Sequence, residues 1–439
     1  MQLPGRRVIM IFLQSSLVRM AVCLATVVAA RGGVPPAPTD VLSLSGGRLQ
    51  LDGAPFAEIS FNKFDLFWAL HDELRAGRAL TPDNPVVKSQ ENALHNLRGL
   101  GFRSIRIFAW PWGDKAAAKF LDPDSKRLIL EALDRVVGLC ERHGIGLMWC
   151  LGCSQFTDDK EHLKELCSDP DCANRKHLRA YLREIVGRYR HSPAVLAWEI
   201  TNELTLSADI GDAKGLWEGK QRVPSLASVA DFYRDISATI KQEDPLRLIH
   251  NGGSNPREQQ WNLHLGNGWV RDTHEQQFKC FELLFKDSAV DIIDIHYYLG
   301  NRDVIDIAAD GGGLRTIGLA DYMGFAKRLG KPLMLGEFGR PVAVSGGTDL
   351  RKQTPEYFAT YSDARAALPW VNRLLDEVVR CEVPLSYWWA YQSERAMDRD
   401  DPHRMDVSLE RNPEIVKAIA DANKRLRERL GVPLRKQDP

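Results

Sequence analysis

One unit recurs eight times along this chain: a short apolar run rich in β-branched residues, followed by an amphipathic stretch. The runs are Ala57–Phe61, Ser104–Ala109, Ile145–Leu151, Val195–Thr201, Arg247–Asn251, Val290–Tyr297, Pro332–Phe338 and Pro384–Tyr391. The stretches are Val86–Leu100, Ser125–His143, Arg175–Tyr189, Leu226–Glu243, His274–Lys286, Leu314–Leu329, Ala364–Cys381 and Pro413–Leu430. Periodicity alone would let a run such as Asp291-Ile-Ile-Asp-Ile be buried helix; its length and β-branching favour strand. Strict alternation of strand and helix argues a parallel sheet. Eight units suit a closed (β/α)8 TIM barrel, so the expected fold class is α/β.

Loop lengths orient the barrel. Helix-to-strand connections are terse: Gly101-Phe102, Gly144, Ser192-Pro193, Asp244-Pro245 and Gly330-Lys331. Strand-to-helix connections are long: Gly152–Asn174, Asn202–Ser225, Gly252–Thr273, Leu299–Gly313 and Gly339–Asp363. A barrel carries its active site on the strand-to-helix side, and long irregular loops are usually functional. Ahead of the first strand, Leu42–Leu51 with Gly46-Gly47 predicts a small hairpin plugging the barrel bottom.

Composition limits the partners. Of 439 residues, 58 are Lys or Arg and 58 are Asp or Glu, so the formal net charge is zero. That balance gives no long-range pull toward nucleic acid or acidic lipid. Apolar residues make 44% and charged residues 26%, which is globular usage. No internal repeat or second-domain linker interrupts residues 42–432, read here as one catalytic domain with a tail at 433–439.

Residues 1–30 read as a secretory signal. Arg6 and Arg7 precede the apolar run Val8 to Leu13, a second run spans Met20 to Ala30, and Val28-Ala29-Ala30 offers small residues for cleavage. No stretch reaches the roughly 18 uninterrupted apolar residues of a membrane span. Met20 is an alternative start, and 31–41, with its Pro-rich Val34–Thr39, is a linker. The expectation is a secreted or periplasmic monomer. Cys150, Cys153, Cys167 and Cys172 then have three readings: a disulfide, which export favours; free buried thiols; or a zinc site.

Two carboxylates stand where chemistry is done. Glu203 ends the fourth strand in Trp198-Glu-Ile-Thr-Asn-Glu203, and Glu337 ends the seventh in Leu333-Met-Leu-Gly-Glu337-Phe-Gly. Strands four and seven lie nearly opposite on an eight-strand ring. A pair of carboxylates across one gap is what glycosidic cleavage needs, one protonated and one ionised. Arg106, inside the apolar second strand, needs a buried carboxylate partner and would hold Glu337 ionised. His296 and Tyr298 end the sixth strand, with Tyr298 placed to hydrogen-bond a carboxylate. Asn202 is placed for a sugar hydroxyl, and Trp388 or Trp389 for stacking on a sugar ring. Trp110, Trp112, Trp217, Trp261 and Trp269 are further candidate cleft aromatics, and Glu199 is assigned to a buried ion pair. No metal or cofactor is expected. The first strand has no His-x-His for a metal, no Gly-x-Gly-x-x-Gly or Gly-x-Ser-x-Gly occurs, and Gly346-Gly347 is the only hint of a phosphate loop.

These motifs resemble glycoside hydrolase family 5, the cellulase and β-mannanase family, from about Ala57 to Gln392. The resemblance implies Glu203 of Asn202-Glu203 as acid/base and Glu337 of Glu337-Phe338-Gly339 as nucleophile. It matches Arg106, His296-Tyr297-Tyr298 and an eighth-strand Trp, Trp389 or, with a register slip, Trp388. The third strand departs from it: Trp149-Cys-Leu-Gly-Cys153 lacks the His many members carry there. Ile105-Arg-Ile-Phe-Ala-Trp110 and Val195-Leu-Ala-Trp-Glu199 are the mannanase-like cues. The implied function is retaining hydrolysis of β-1,4-linked polysaccharide, leaning to mannan or glucomannan. An endo-glucanase, an exo-acting β-glycosidase and a non-catalytic carbohydrate-binding barrel are the alternatives.

Overall fold

A computed structural model describes residues 41–110, 116–156, 162–210, 223–298, 305–339, 364–392 and 407–433. The expected signal segment, the Pro-rich stretch, Trp112, Trp217, Gly346 and Gly347 lie outside the described residues. Eight parallel strands form the sheet: β1 Glu58–Asn62, β2 Ser104–Phe108, β3 Gly146–Cys150, β4 Val195–Glu199, β5 Leu248–His250, β6 Ile293–Tyr297, β7 Leu333–Phe338 and β8 Leu385–Trp388. The hydrogen-bonded order runs β5-β4-β3-β2-β1-β8-β7-β6. A parallel bridge between His250 and Ile292 joins the two ends, so the sheet closes into the expected barrel.

The expected helices form at Pro85–Gly99, Pro123–His143, Ala173–Tyr189, Leu226–Glu243, His274–Phe285, Leu319–Arg328, Ala364–Arg380 and Pro413–Arg429. Their starts follow local chemistry. Asn84 and Asp122 cap helices that open on Pro85 and Pro123, and Thr273 with Gln276 makes a capping box. One boundary was misplaced. Leu314–Ile317 is not helix but pairs antiparallel with Ile305–Ala308. Gly311, Gly312 and Gly313, all at positive φ, turn that hairpin. The helix Asp65–Arg75 was not anticipated, because it follows β1 after only Lys63 and Phe64.

Strand parity sorts the side chains. Outward-facing residues such as Ile59, Ile105, Trp149, Trp198, Ile295 and Phe338 enter the outer core with the helices. Inward residues at the barrel bottom, Met148, Ala197, Leu248, Met334, Leu385 and Tyr387, pack with Leu42, Leu49 and Leu51 of the N-terminal hairpin, which plugs the barrel as expected. Among the described residues no helix is long and apolar enough to cross a membrane.

Of the three readings open for the cysteine cluster, the structure has the free buried thiols and not the disulfide that export favours. Cys150, Cys153, Cys167 and Cys172 are buried free thiols. Each has its own structural place. Cys172, for example, caps the helix from Ala173, its sulfur accepting the Arg175 N–H at 3.3 Å.

Candidate active site

Above the plug, the inward residues turn polar. Arg106 on β2 is fully buried and reaches two acids. Its Nε and Nη2 donate to Glu199 at 2.5 and 2.6 Å, the ion pair expected for Glu199. Its Nη1 donates to Glu337 Oε1 at 2.9 Å and to Asn62 Oδ1 at 2.8 Å. Nη2 also donates to Asn202 Oδ1 at 2.9 Å, which turns that amide's oxygen toward the arginine. Burial works against the guanidinium charge, but Glu199, Glu337 and Asp294 outweigh it and hold Arg106 firmly protonated.

Glu203 and Glu337 face one another at the mouth. Oxygens of both carboxylates and Nδ1 of His296 all lie within 4.8 Å of each other. His296 Nδ1 is 2.9 Å from Glu203 Oε1 and 3.4 Å from Glu337 Oε2. Tyr298 donates its hydroxyl to Glu337 Oε2 at 2.7 Å. The Glu203 side chain is 33% exposed and that of Glu337 8%, so the first borders solvent while the second sits deeper.

Glu203 has left its strand and sits in the left-handed region, φ 51°. Such backbone costs about 1–3 kcal/mol for a non-glycine residue and clusters at functional sites. Its N–H donates to the Gly252 carbonyl at 2.7 Å. Gly252, at φ +64°, must be glycine: a Cβ there would stand 1.8 Å from the Thr201 carbonyl oxygen.

Burial raises the Glu337 carboxyl above the ordinary range, as does Glu203, against the pull of His296, Arg106 and Tyr298. Burial also pushes Glu203 up, but the hydrogen bond and charge of His296 leave it below the ordinary range. Burial disfavours charge on His296, yet Glu337 and Glu203 together raise it to about 9. His296 therefore carries its proton at neutral pH beside Glu203 and Glu337, and the three groups titrate as a set.

The aromatic candidates divide. Trp388 points outward, fully buried against Phe338. Trp389, one residue on, is half-buried beside Phe64 and Phe108, with ring centroids at 5.3 and 5.6 Å. Trp110 is buried in a cluster with Phe120, Phe156 and Tyr181, which removes it from the cleft surface. Trp261 packs on the outer core, and Trp269 is exposed on the loop after β5. Three inward residues escaped the sequence reading: Asn62, His250 and Asp294. Strand parity could have found them, since Asp294 lies two residues before His296 on β6.

Residues 83–373 match the family model described as Cellulase (glycosyl hydrolase family 5). The chain belongs to this family. It is 23% identical over 346 residues to mannan endo-1,4-beta-mannosidase 2 of Oryza sativa subsp. japonica, spanning 70% of this chain and 69% of that protein. It is 25% identical over 217 residues to a probable mannan endo-1,4-beta-mannosidase F of Aspergillus flavus, 48% of this chain and 42% of that protein. The fold is similar to the crystal structure of a family 5 mannosidase from Rhizomucor miehei, with a TM-score of 0.58 at 16% identity over 90% of this chain and 99% of the other.

Proposed function

We propose that this family 5 hydrolase cleaves β-1,4-linked mannan or glucomannan with retention of configuration. The observation that carries the mechanism is the approach of the Glu203 and Glu337 carboxylate oxygens to within 4.8 Å. Retaining pairs stand about 5–5.5 Å apart, whereas inverting pairs need roughly 6.5–9.5 Å to seat a water. The mannan preference rests on the named relatives and on the mannanase-like second and fourth strands.

Glu337 is the nucleophile. Arg106 and Tyr298 donate to its two oxygens and hold the attacking group in place. Glu203 is the acid/base. The proton resting on His296 passes along the 2.9 Å contact to Glu203 as the leaving oxygen arrives. Glu337 then attacks the anomeric carbon, and Glu203 gives that proton to the departing sugar. In the second half, Glu203 takes a proton from water, which opens the glycosyl-enzyme. The Asn202 amide nitrogen, directed away from Arg106, serves a sugar hydroxyl, and Trp389 offers its face to a sugar ring. Export and a monomeric state complete the reading; N-terminal sequencing of protein from the culture fluid and light scattering test those two points.

The test of substrate is reducing-end release from β-mannan, glucomannan and carboxymethylcellulose by the purified protein. Faster release from the two mannans is expected. Equal or faster release from carboxymethylcellulose overturns the mannan assignment and leaves the mechanism standing. No release from any β-glycan overturns both.

A further inference from the structure

Below the catalytic pair lies a second buried group that the chemistry above does not use. Asp294 on β6 and His250 on β5 are both fully buried. His250 Nδ1 lies 2.9 Å from Asp294 Oδ2 and 3.8 Å from Glu199 Oε2. The other oxygen of Asp294 accepts the Gly336 N–H at 2.6 Å.

Gly336 is where β7 breaks register. Against β6, Leu335 pairs with Ile295 and Glu337 with His296, so Gly336 is an extra residue. Against β8, Leu335 pairs with Ser386 and Phe338 with Trp388, and the same segment is one residue too long. This is a β-bulge, and its consequence is directional. Met334 faces the barrel interior and Leu335 the helices. Plain alternation would send Glu337 outward with Leu335. The extra residue returns Glu337 to the interior and Phe338 to the outer core, because a one-residue slip exchanges the two faces.

A bulged residue has no ladder partners, so side chains must supply them. Asn62 Nδ2 donates to the Gly336 carbonyl at 2.9 Å, and Asp294 takes the N–H. The fit is close: a Cβ on Gly336 would stand 2.4 Å from both Asp294 oxygens. The backbone of Asp294 is anchored separately. Its N–H donates to Asn251 Oδ1 at 2.7 Å, and its carbonyl accepts from Asn251 Nδ2 at 2.9 Å. Replacing the Asp294 side chain therefore leaves β6 tied in place, releases the hold on the bulge and frees His250 Nδ1 from its carboxylate.

We propose that Asp294 is a positioning residue, whose carboxylate, braced by His250, secures the Gly336 bulge that turns Glu337 into the cleft. This rests on Glu337 being the nucleophile and extends it to the residue that aims it. Asp294 touches no substrate; it acts through the backbone of its neighbour strand.

The test compares Asp294→Ala and Asp294→Asn in the full chain, by kinetics on β-mannan and by crystallography of both variants. The Ala variant loses the acceptor for Gly336. It should lower kcat by about 100-fold with KM held within about threefold, because a misplacement of about 1 Å costs that much. The Asn variant keeps an acceptor oxygen, and kcat should recover to within about tenfold of the unmodified enzyme. In the Ala crystal structure, the Glu337 carboxylate should have moved off Arg106 and Tyr298. Should the Ala variant not fold, Asp294→Ser takes its place under the same criteria. A Glu337 that stays on both partners in the variant overturns the proposal, as does a loss of activity that Asn fails to restore. An unmodified enzyme inert on every β-glycan defeats the functional reading instead, and the crystallographic comparison still decides the role of Asp294.

Discussion

Arg106 Nη1 donates to Glu337 Oε1 across 2.9 Å, with the guanidinium wholly inside the barrel. The same side chain neutralises Glu199 through two further bonds. One cation thus serves a structural acid below and the proposed nucleophile above.

Arg106→Met should take the bonded cation from Glu199 and leave Glu337 with His296 in place of two cationic neighbours. Breaking a buried pair from one side costs about 3–5 kcal/mol, so denaturant melts should show a loss of that order. With one downward pull on Glu337 gone, its carboxyl should titrate higher still, and the acid limb of kcat/KM should move to higher pH. A variant that melts normally and keeps the parental pH profile would remove Arg106 from the account.

The pH profile should be a bell. Its acid limb reports protonation of Glu337, raised above the ordinary range chiefly by burial. Protonating the nucleophile ends attack, so activity should fall as pH drops through that value. The alkaline limb reports loss of the proton shared by His296 and Glu203, with His296 at about 9. His296→Asn should shift the alkaline limb downward, because Glu203 then relies on its own carboxyl for the proton. Full activity of that variant up to the parental alkaline limit would contradict the proton path.

Glu58, at the start of β1, gives a stability prediction independent of catalysis. Burial raises its carboxyl from 4.5 to about 7, against the opposing pull of its bonds from Ser104 and the Arg103 N–H. The folded state therefore binds more protons than the unfolded state between those values. Stability should fall as pH rises through that window and level off above it. Glu58→Gln should remove that slope and gain on the order of 3 kcal/mol near pH 8, read by denaturant melts across pH. An unchanged slope would mean that Glu58 is solvated or paired in solution.

The barrel and its polarity were legible because both depend on local signals: β-branched runs, helical periodicity and unequal loop lengths. Glu203, Glu337 and Arg106 were legible because charge inside or at the end of an apolar strand demands a reason. The Gly336 bulge was not. Its signal is a register count against two neighbouring strands, which no single segment carries. Trp110 failed for a related reason: its position after β2 suggested the rim, but its ring is drawn into the Phe120–Phe156–Tyr181 cluster. The Trp388–Trp389 choice turned on strand parity, which sends the first outward. The hairpin at Leu314–Ile317 hid because its pairing partner, Ile305–Ala308, lies across a glycine turn inside a loop.

The assignment of the two acids is tested most directly by azide rescue of Glu203→Ala with a dinitrophenyl β-mannoside. That leaving group needs no proton, so Glu337 still forms the glycosyl-enzyme, and azide enters from the face that Glu203 vacated. The account predicts a β-mannosyl azide, identified by NMR. An α-mannosyl azide from this variant would mean that azide had displaced the leaving group directly, and that Glu203, not Glu337, is the nucleophile.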